Sequence, residues 1–221
     1  MKILIIGSQS QAEELQEKFG SNHEYTVVND ANYAVDIINN QEVVFDFMLD
    51  ESPDNLEVYM ELEGLLVFVN APKISLAETT YLYGKVDCTL IGFNGLPSFV
   101  NRELLEVSLL KDEDETILKR VCGQLSTQYE IVKDRIGMVT PRIICMIINE
   151  AYYTVQEGTA SKEDIDKGMK LGTNYPFGPF EWSEMIGIDN VYELLEAVYE
   201  DTKDERYKIC PMLKREYLIN S

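Results

Sequence analysis

Near the amino terminus, the residues Gly7-Ser8-Gln9-Ser10-Gln11-Ala12 stand where a chain can bring bare backbone against a phosphate. They follow Lys2 to Ile6 (KILII), an apolar and β-branched run, and lead into the amphipathic stretch Ala12 to Phe19. That pattern reads as the turn of a strand-turn-helix unit. In a dinucleotide-binding turn, glycine-x-glycine-x-x-glycine lets a pyrophosphate reach the N-terminus of the helix. Here Gly7 keeps its glycine and Ser8 follows it, but Gln9 puts a side chain where the phosphate would lie. Ala12 is the milder change, since alanine still allows close helix packing. The expectation is weakened or lost pyrophosphate binding. A ribose hydroxyl would be held by an acidic or amide group at the end of the second strand, where Asn29 and Asp30 stand, and either fits. Asp30 has a second reading, as a turn residue or cap for a helix starting at Ala31.

The other reactive side chains are sparse. The chain has one histidine, His23, in Asn22-His23-Glu24 just before the second strand, where a structural role is expected. Four cysteines, Cys88, Cys122, Cys145 and Cys210, are far apart and show no C-x-x-C pairing. Their apolar surroundings favour buried, reduced thiols over disulfides or zinc, so no metal is expected.

Positioning these groups requires a scaffold, and the hydrophobic pattern supplies one. Short buried-strand signals recur at Lys2 to Ile6, Tyr25 to Val28, Glu42 to Leu49, Leu65 to Asn70, Thr89 to Phe93 and Leu104 to Leu110, with helical or loop segments between most of them. Strands alternating with helices imply an α/β fold of Rossmann type, a doubly wound parallel sheet. Between Asp30 and Glu42 there is room for one short helix. After about Lys133 the pattern changes to long helical segments at Pro141 to Gln156, Lys162 to Lys170, Phe180 to Ile186 and Val191 to Tyr199. The helix near Pro141 starts where a missing N–H costs nothing, with Thr140 placed to cap it. The division expected is a Rossmann-like domain over 1–133 and an all-helical domain over 134–221.

The run Ser161 to Asn190, SKEDIDKGMKLGTNYPFGPFEWSEMIGIDN, carries the most specific signal. It resembles the C-terminal domain of 3-hydroxyacyl-CoA dehydrogenases in an ordered, ungapped series. The series comprises Ser161, Asp164, Ile165 and Asp166; Lys170, Leu171 and Gly172 as a turn; Pro176, Gly178, Pro179 and Glu181; and Ile186, Gly187, Ile188 and Asp189. The resemblance implies an NAD-dependent oxidation of a 3-hydroxyacyl thioester, with a histidine base held by a glutamate and assisted by a serine and an asparagine. On the segment Ile91 to Pro97 and the strand Leu104 to Val107, it places Asn94 at the base and Glu106 at its partner.

An amide nitrogen is not basic at any useful pH, so Asn94 can orient a ligand but cannot take a hydroxyl proton. Losing a general base costs typically ~10²–10⁴-fold in rate. In the stretch Asn70-Ala71-Pro72-Lys73-Ile74-Ser75, Ser75 matches the family serine if a two-residue insertion is allowed; an ordinary loop or capping serine is the other reading. At the entry to the helical domain Asp134, Gly137 and Arg142 match, while Pro141 replaces the asparagine. Glu106, without a histidine to hold, is a solvated strand-end carboxylate or a partner for Asn94 or a lysine. The family also carries a long helical excursion after the second strand that this chain lacks.

Composition narrows the partners. The chain has 221 residues, with 19 Lys and Arg against 39 Asp and Glu, a formal charge of −20. Repulsion at long range disfavours nucleic acid and anionic membrane surfaces and is awkward for the phosphates of CoA. Lys111 to Glu115 (KDEDE) reads as a solvated loop or helix start. With no long apolar run and no secretory pattern, neither a membrane span nor a signal is supported, leaving the cytoplasm. The leading expectation is a 3-hydroxyacyl-CoA dehydrogenase-like protein with absent or impaired catalysis. It would bind an acyl-CoA-type molecule and pair as a homodimer through the helical domain, over Ile143 to Val155 with Trp182. The alternatives are a working NAD-dependent 3-hydroxyacyl-CoA dehydrogenase with an altered site, in which water or Glu106 takes the proton, and a non-enzymatic interaction protein.

Overall fold

A computed structural model describes residues 1–220. The chain forms two compact units, one over Met1–Met138 and one beginning at Val139. The division falls a little past the expected 133/134 boundary. Asp134 bonds to Ser75, and the Gly137 N–H donates to the Pro72 carbonyl at 2.6 Å, so this stretch stays with the sheet.

The first unit is built on a seven-stranded sheet. In chain order the strands are β1 (Lys2–Ile6), β2 (Glu24–Val28), β3 (Val43–Asp46), β4 (Leu66–Asn70), β5 (Thr89–Phe93), β6 (Leu104–Leu109) and β7 (Gln128–Val132). Their spatial order is β2-β1-β3-β4-β5-β6-β7, parallel throughout except where β6 runs antiparallel to β5. The helices are α1 (Gln9–Phe19), α2 (Leu76–Tyr83) and α3 (Glu115–Gln124). The doubly wound architecture expected from the pattern is therefore present, with one antiparallel pair added.

Burial on both faces explains why the inner strands β1, β3, β4 and β5 are apolar runs rather than alternating ones. On β1, Ile3 and Ile5 join one core with Phe45, Phe68 and Phe93, while Leu4 and Ile6 join a second core with Val44, Val67 and Tyr59. Phe45 stacks on Phe68 with centroids 4.6 Å apart, and Phe93 meets Phe45 edge-on at 5.6 Å, both within the range where aromatic pairs add to area burial. Gly92 has no room for a side chain: a Cβ there would run into Ser108 Oγ on β6 and Ala71 Cβ.

Several local expectations differ in detail. The third strand stops at Asp46 rather than Leu49, because the Asp46 carboxylate accepts the Met48 and Leu49 N–H groups at 2.7 and 3.1 Å and turns the chain. Between Asp30 and Glu42 lie two 3₁₀ turns, Ala31–Tyr33 and Ile38–Asn40, instead of one helix. The KDEDE block leads into the first turn of α3, with Asp114 at the cap position.

The second unit is helical, as expected: α4 (Thr140–Gln156), α5 (Lys162–Thr173), α6 (Pro179–Ile186), α7 (Ile188–Thr202) and α8 (Pro211–Asn220). Lys170, Leu171 and Gly172 continue α5 rather than forming a turn; Asn174, with φ 57°, ends that helix in the left-handed conformation asparagine tolerates. Thr140 is the first helical residue of α4, so the cap position falls on Val139 and carries no side-chain cap. Asp166 receives the Phe180 and Glu181 N–H groups at the start of α6, and Gly178 is glycine because a Cβ would collide with the Asp166 carboxyl. No helix among the described residues is long and apolar enough to cross a membrane.

Candidate functional site

Strand-end loops at the carboxyl edge of the parallel strands are where an open α/β sheet presents ligand-binding groups, and most of the singled-out residues of the first unit lie there. At the β1-to-α1 turn, Ser8 caps α1 and forms a reciprocal capping box with Gln11. The Ser8 N–H donates to Gln11 Oε1 at 2.7 Å, and the Gln11 N–H donates to Ser8 Oγ at 3.3 Å. The Ser-x-x-Gln spacing makes this box legible in the sequence. Gly7 is tightly enclosed: a Cβ would sit 2.6 Å from Gln11 Oε1 and 3.1 Å from Phe47 Cβ.

A cleft of about 490 Å³ opens beside this turn, lined by Gly7, Ser8, Gln9, Val27, Val28, Asn29 and Tyr33. It occupies the place a dinucleotide's phosphates and ribose take in this fold. At the point where such a cofactor's phosphate would sit, the Ser8 N–H is already bonded to Gln11 Oε1, and Gln9, which also lines the cleft, donates from Nε2 to Glu13 Oε1 at 3.1 Å. Asn29 is exposed on the cleft wall, available to a hydroxyl. Asp30 caps the Ala31–Tyr33 turn instead, accepting from the Asn32 N–H at 2.8 Å and from Asn32 Nδ2 at 2.9 Å. Of the two readings for Asp30, the geometry displays the cap.

The second grouping gathers at the ends of β4, β5 and β6. Asn94 is 3% exposed, directly after β5; its backbone N–H donates to the Glu106 carbonyl at 3.0 Å, which brings the two residues side by side. Asn94 Oδ1 accepts the Leu96 N–H at 3.4 Å, and the carboxamide nitrogen is the donor end of the side chain. Glu106, 7% exposed, pairs across β6 and β7 with Glu130. Asn94 and Glu106 are therefore backbone neighbours, and Glu106 is buried inside β6 rather than being a solvated strand-end carboxylate.

Next to them lies a cluster that sequence reading missed. Asn70, the last residue of β4, donates from Nδ2 to Asp50 Oδ2 at 2.9 Å and accepts the Gly95 N–H on Oδ1 at 3.0 Å. Lys73 Nζ stands 3.9 Å from the same Asp50 oxygen, with side-chain exposures of only 9% for Lys73 and 1% for Asp50. The other carboxyl oxygen of Asp50, Oδ1, is buried with no hydrogen-bond partner. Burial pushes the Asp50 carboxyl up to about 7; the Lys73 ammonium and the Asn70 hydrogen bond oppose that rise, and Glu51 and Asp46 reinforce it. Below it, Asp46 is fully buried and accepts the Tyr59 hydroxyl at 2.7 Å; burial raises its carboxyl, and its hydrogen bonds to Tyr59, Met48 and Leu49 resist. The available sequence signal was an Asp in the turn Asp50-Glu51-Ser52-Pro53 and an Asn closing an apolar strand, neither distinctive without knowing that they meet.

Ser75, though only two residues after Lys73, lies outside this hydrogen-bonded grouping. It is the N-cap of α2, accepts the Glu78 N–H, and donates its hydroxyl to Asp134 Oδ2 at 3.0 Å. Asp134 also accepts the Leu76 and Ala77 N–H groups at 2.8 and 2.9 Å, so both side chains are occupied in starting the helix. His23 is likewise remote: its Nδ1 lies 3.3 Å from the Met1 amino group, and desolvation, then that amino group, lower its pKa. Pro141 occupies the first turn of α4. Among the described residues no group of three or more His, Cys, Asp or Glu side chains could hold a metal ion.

Comparison with known proteins adds the following. Residues 137–220 match the family model described as 3-hydroxyacyl-CoA dehydrogenase, C-terminal domain. Over 156 residues the chain is 39% identical to a 3-hydroxybutyryl-CoA dehydrogenase of Clostridioides difficile, covering 69% of this chain and 55% of that protein. Over 90 residues it is 41% identical to a 3-hydroxyadipyl-CoA dehydrogenase of Escherichia coli (strain K12), covering 41% of this chain and 19% of that one. The matched stretches thus span about half the length of such relatives, or less. The structure superposes on that of an (S)-3-hydroxybutyryl-CoA dehydrogenase from Ralstonia eutropha with a TM-score of 0.74, over 99% of this chain and 94% of that one, at 21% identity. At that identity the likeness is one of fold.

Proposed function

The chain belongs to the 3-hydroxyacyl-CoA dehydrogenase family, and we propose that it binds an acyl-CoA-type ligand while performing the family's NAD-dependent oxidation slowly or not at all. The observation that supports this is Asn94. It stands at the position the resemblance assigns to the base, buried beside Glu106, and its carboxamide has no proton-accepting nitrogen. What remains is a hydrogen-bond donor, suited to orienting a carbonyl or hydroxyl oxygen. The nearest strongly perturbed acid, Asp50, has a side chain that is 1% exposed, too enclosed to meet a substrate hydroxyl directly. NAD binding weakened by Gln9 and by the capped Ser8 belongs to the same proposal, as do a homodimer through the helical unit and a cytoplasmic location. A protein that sediments only as a monomer at micromolar concentration would remove the dimer.

The deciding experiment is calorimetric titration with NAD, NADH and acetoacetyl-CoA, alongside NADH oxidation by acetoacetyl-CoA. Binding of the thioester without turnover is the expected result; turnover at rates ordinary for dehydrogenases, above about 1 per second, would overturn it. A working enzyme with an altered site is the second reading, favoured by the cleft beside Gly7, Ser8 and Asn29. It requires nucleotide binding and measurable turnover, and a Glu106→Gln variant that kept the full rate would remove Glu106 as its proton acceptor.

A further inference from the structure

The Asp50 cluster has a feature that neither capping nor packing uses. Lys73, Asp50, Asn70 and Gly95 form a chain of polar contacts, running from the turn after β3 to the residue next to Asn94. Asn70 is the middle link, and a carboxamide is asymmetric, with donors on one atom and acceptors on the other. As long as Asp50 is a carboxylate it can only accept, so Nδ2 of Asn70 must face it and Oδ1 must face the Gly95 N–H. A protonated Asp50 carries a donor of its own and accepts a weaker, uncharged hydrogen bond. The Gly95 N–H still calls for Oδ1, but the carboxamide loses the charged partner that fixed its other end, and its hold on the Gly95 amide relaxes.

Gly95 is a sensitive place for that to happen. A Cβ on Gly95 would lie 2.8 Å from Asn70 Oδ1 and 2.9 Å from the Phe93 ring, so its backbone is wedged between the two. Gly95 also precedes Leu96, whose N–H holds the Asn94 carboxamide oxygen. The Asn70 bond and the Asn94 side-chain bond thus fall on consecutive backbone amides, so the first bears on where the second holds Asn94.

We propose that Asp50 is a positioning residue for the Asn94 segment: ionised, it locks Asn70 onto the Gly95 amide, and protonated, it releases it. Three charged or titratable groups face it. The Lys73 ammonium favours the locked form, while Glu51, adjacent in the turn, and Asp46, at the end of β3, favour the released form. With the Asp50 carboxyl pushed up to about 7, both forms are populated at neutral pH. The consequence for ligand binding rests on the reading of Asn94 as a ligand-orienting donor; the lock itself does not.

The test is a pH titration from about 5.5 to 8.5 of the ¹⁵N-labelled full chain, following the Gly95 amide and the Asn70 side-chain amide, in wild type, Asp50→Asn and Lys73→Met. In wild type the two resonances should move together with one midpoint near pH 7. Asp50→Asn should hold the Gly95 resonance flat near its low-pH position, and Lys73→Met should move the midpoint upward, because a stabilising cation has gone. A Gly95 resonance that stays flat in wild type, an unchanged titration in Asp50→Asn, or a midpoint unmoved in Lys73→Met would each overturn the lock. Wild type and Lys73→Met still decide the matter if Asp50→Asn fails to fold. Repeating the wild-type series with excess acetoacetyl-CoA separates the two readings: resonances unmoved by the ligand would sink thioester binding and leave the lock standing.

Discussion

Asn70 bridges two strand ends, accepting the Gly95 N–H at 3.0 Å on Oδ1 while giving its Nδ2 to Asp50. That one carboxamide ties the end of β4 to the residue after Asn94, and it makes Gly95 intolerant of a side chain. Gly95→Ala should push Asn70 Oδ1 and the Phe93 ring aside and cost about 1–3 kcal/mol, the usual penalty for overpacking a filled site. Urea denaturation checks it; a loss below about 0.5 kcal/mol would mean the loop simply moves.

Asp50 should impose a characteristic pH dependence on stability. Its folded pKa of about 7 lies above the ordinary 3.8, so the folded state binds this proton more tightly than the unfolded state does. Stability from this group is therefore present below about pH 4 and lost as pH rises from there through 7, then constant. Comparing wild type with Asp50→Asn isolates the effect from other carboxylates. The variant should gain relative stability across that window, by at most on the order of 4 kcal/mol at about 1.4 kcal/mol per pKa unit. A stability difference that does not vary between pH 4 and 7 would contradict the assignment.

Restoring the base alone should not restore the enzyme. In Asn94→His the imidazole gains a basic nitrogen, but Pro141 and the Gln9 turn are unchanged. NADH oxidation with acetoacetyl-CoA should rise by less than the ~10²-fold that a well-placed general base supplies. A larger gain would show that the nucleotide turn and Pro141 cost little.

Ser75 and Asp134 should behave as a helix start. Ser75→Ala removes a cap and should cost about 1 kcal/mol, within the usual range for N-cap residues. Asp134→Ala strips the partner from Ser75 Oγ and from the Leu76 and Ala77 N–H groups, and should cost more than Ser75→Ala does. Thermal or urea unfolding of both variants ranks them, and the reverse order would argue that Ser75 does something besides capping.

The thiols should be inert in the folded protein. All four cysteines are free and buried, and burial pushes Cys88, Cys122 and Cys145 up to about 12. Because the thiolate is the reactive species, labelling at pH 8 should be at least about 10²-fold slower in the native protein than in urea. Fast labelling of the native chain would point to local opening at one of these sites.

Residue order alone determined the scaffold. Runs such as Lys2 to Ile6 and Leu65 to Asn70 are apolar on both faces, which only a covered parallel sheet can bury, and the punctuated helices after Pro141 announced the second unit. The Ser8 and Gln11 box and the Asp30 cap were also readable, since both bonds close within a few residues. Tertiary structure decided where side chains distant in the chain meet. Asp50 and Asn70 are 20 positions apart, and Asn70 and Gly95 are 25 apart; Ser75 and Asp134 are separated by 59. Nothing in a local pattern says that a turn aspartate will be desolvated against a lysine, or that a serine near the expected site will be claimed by a carboxylate from beyond β7. Those outcomes depend on which strand ends the sheet order brings together, and burial then sets the charge each group can carry.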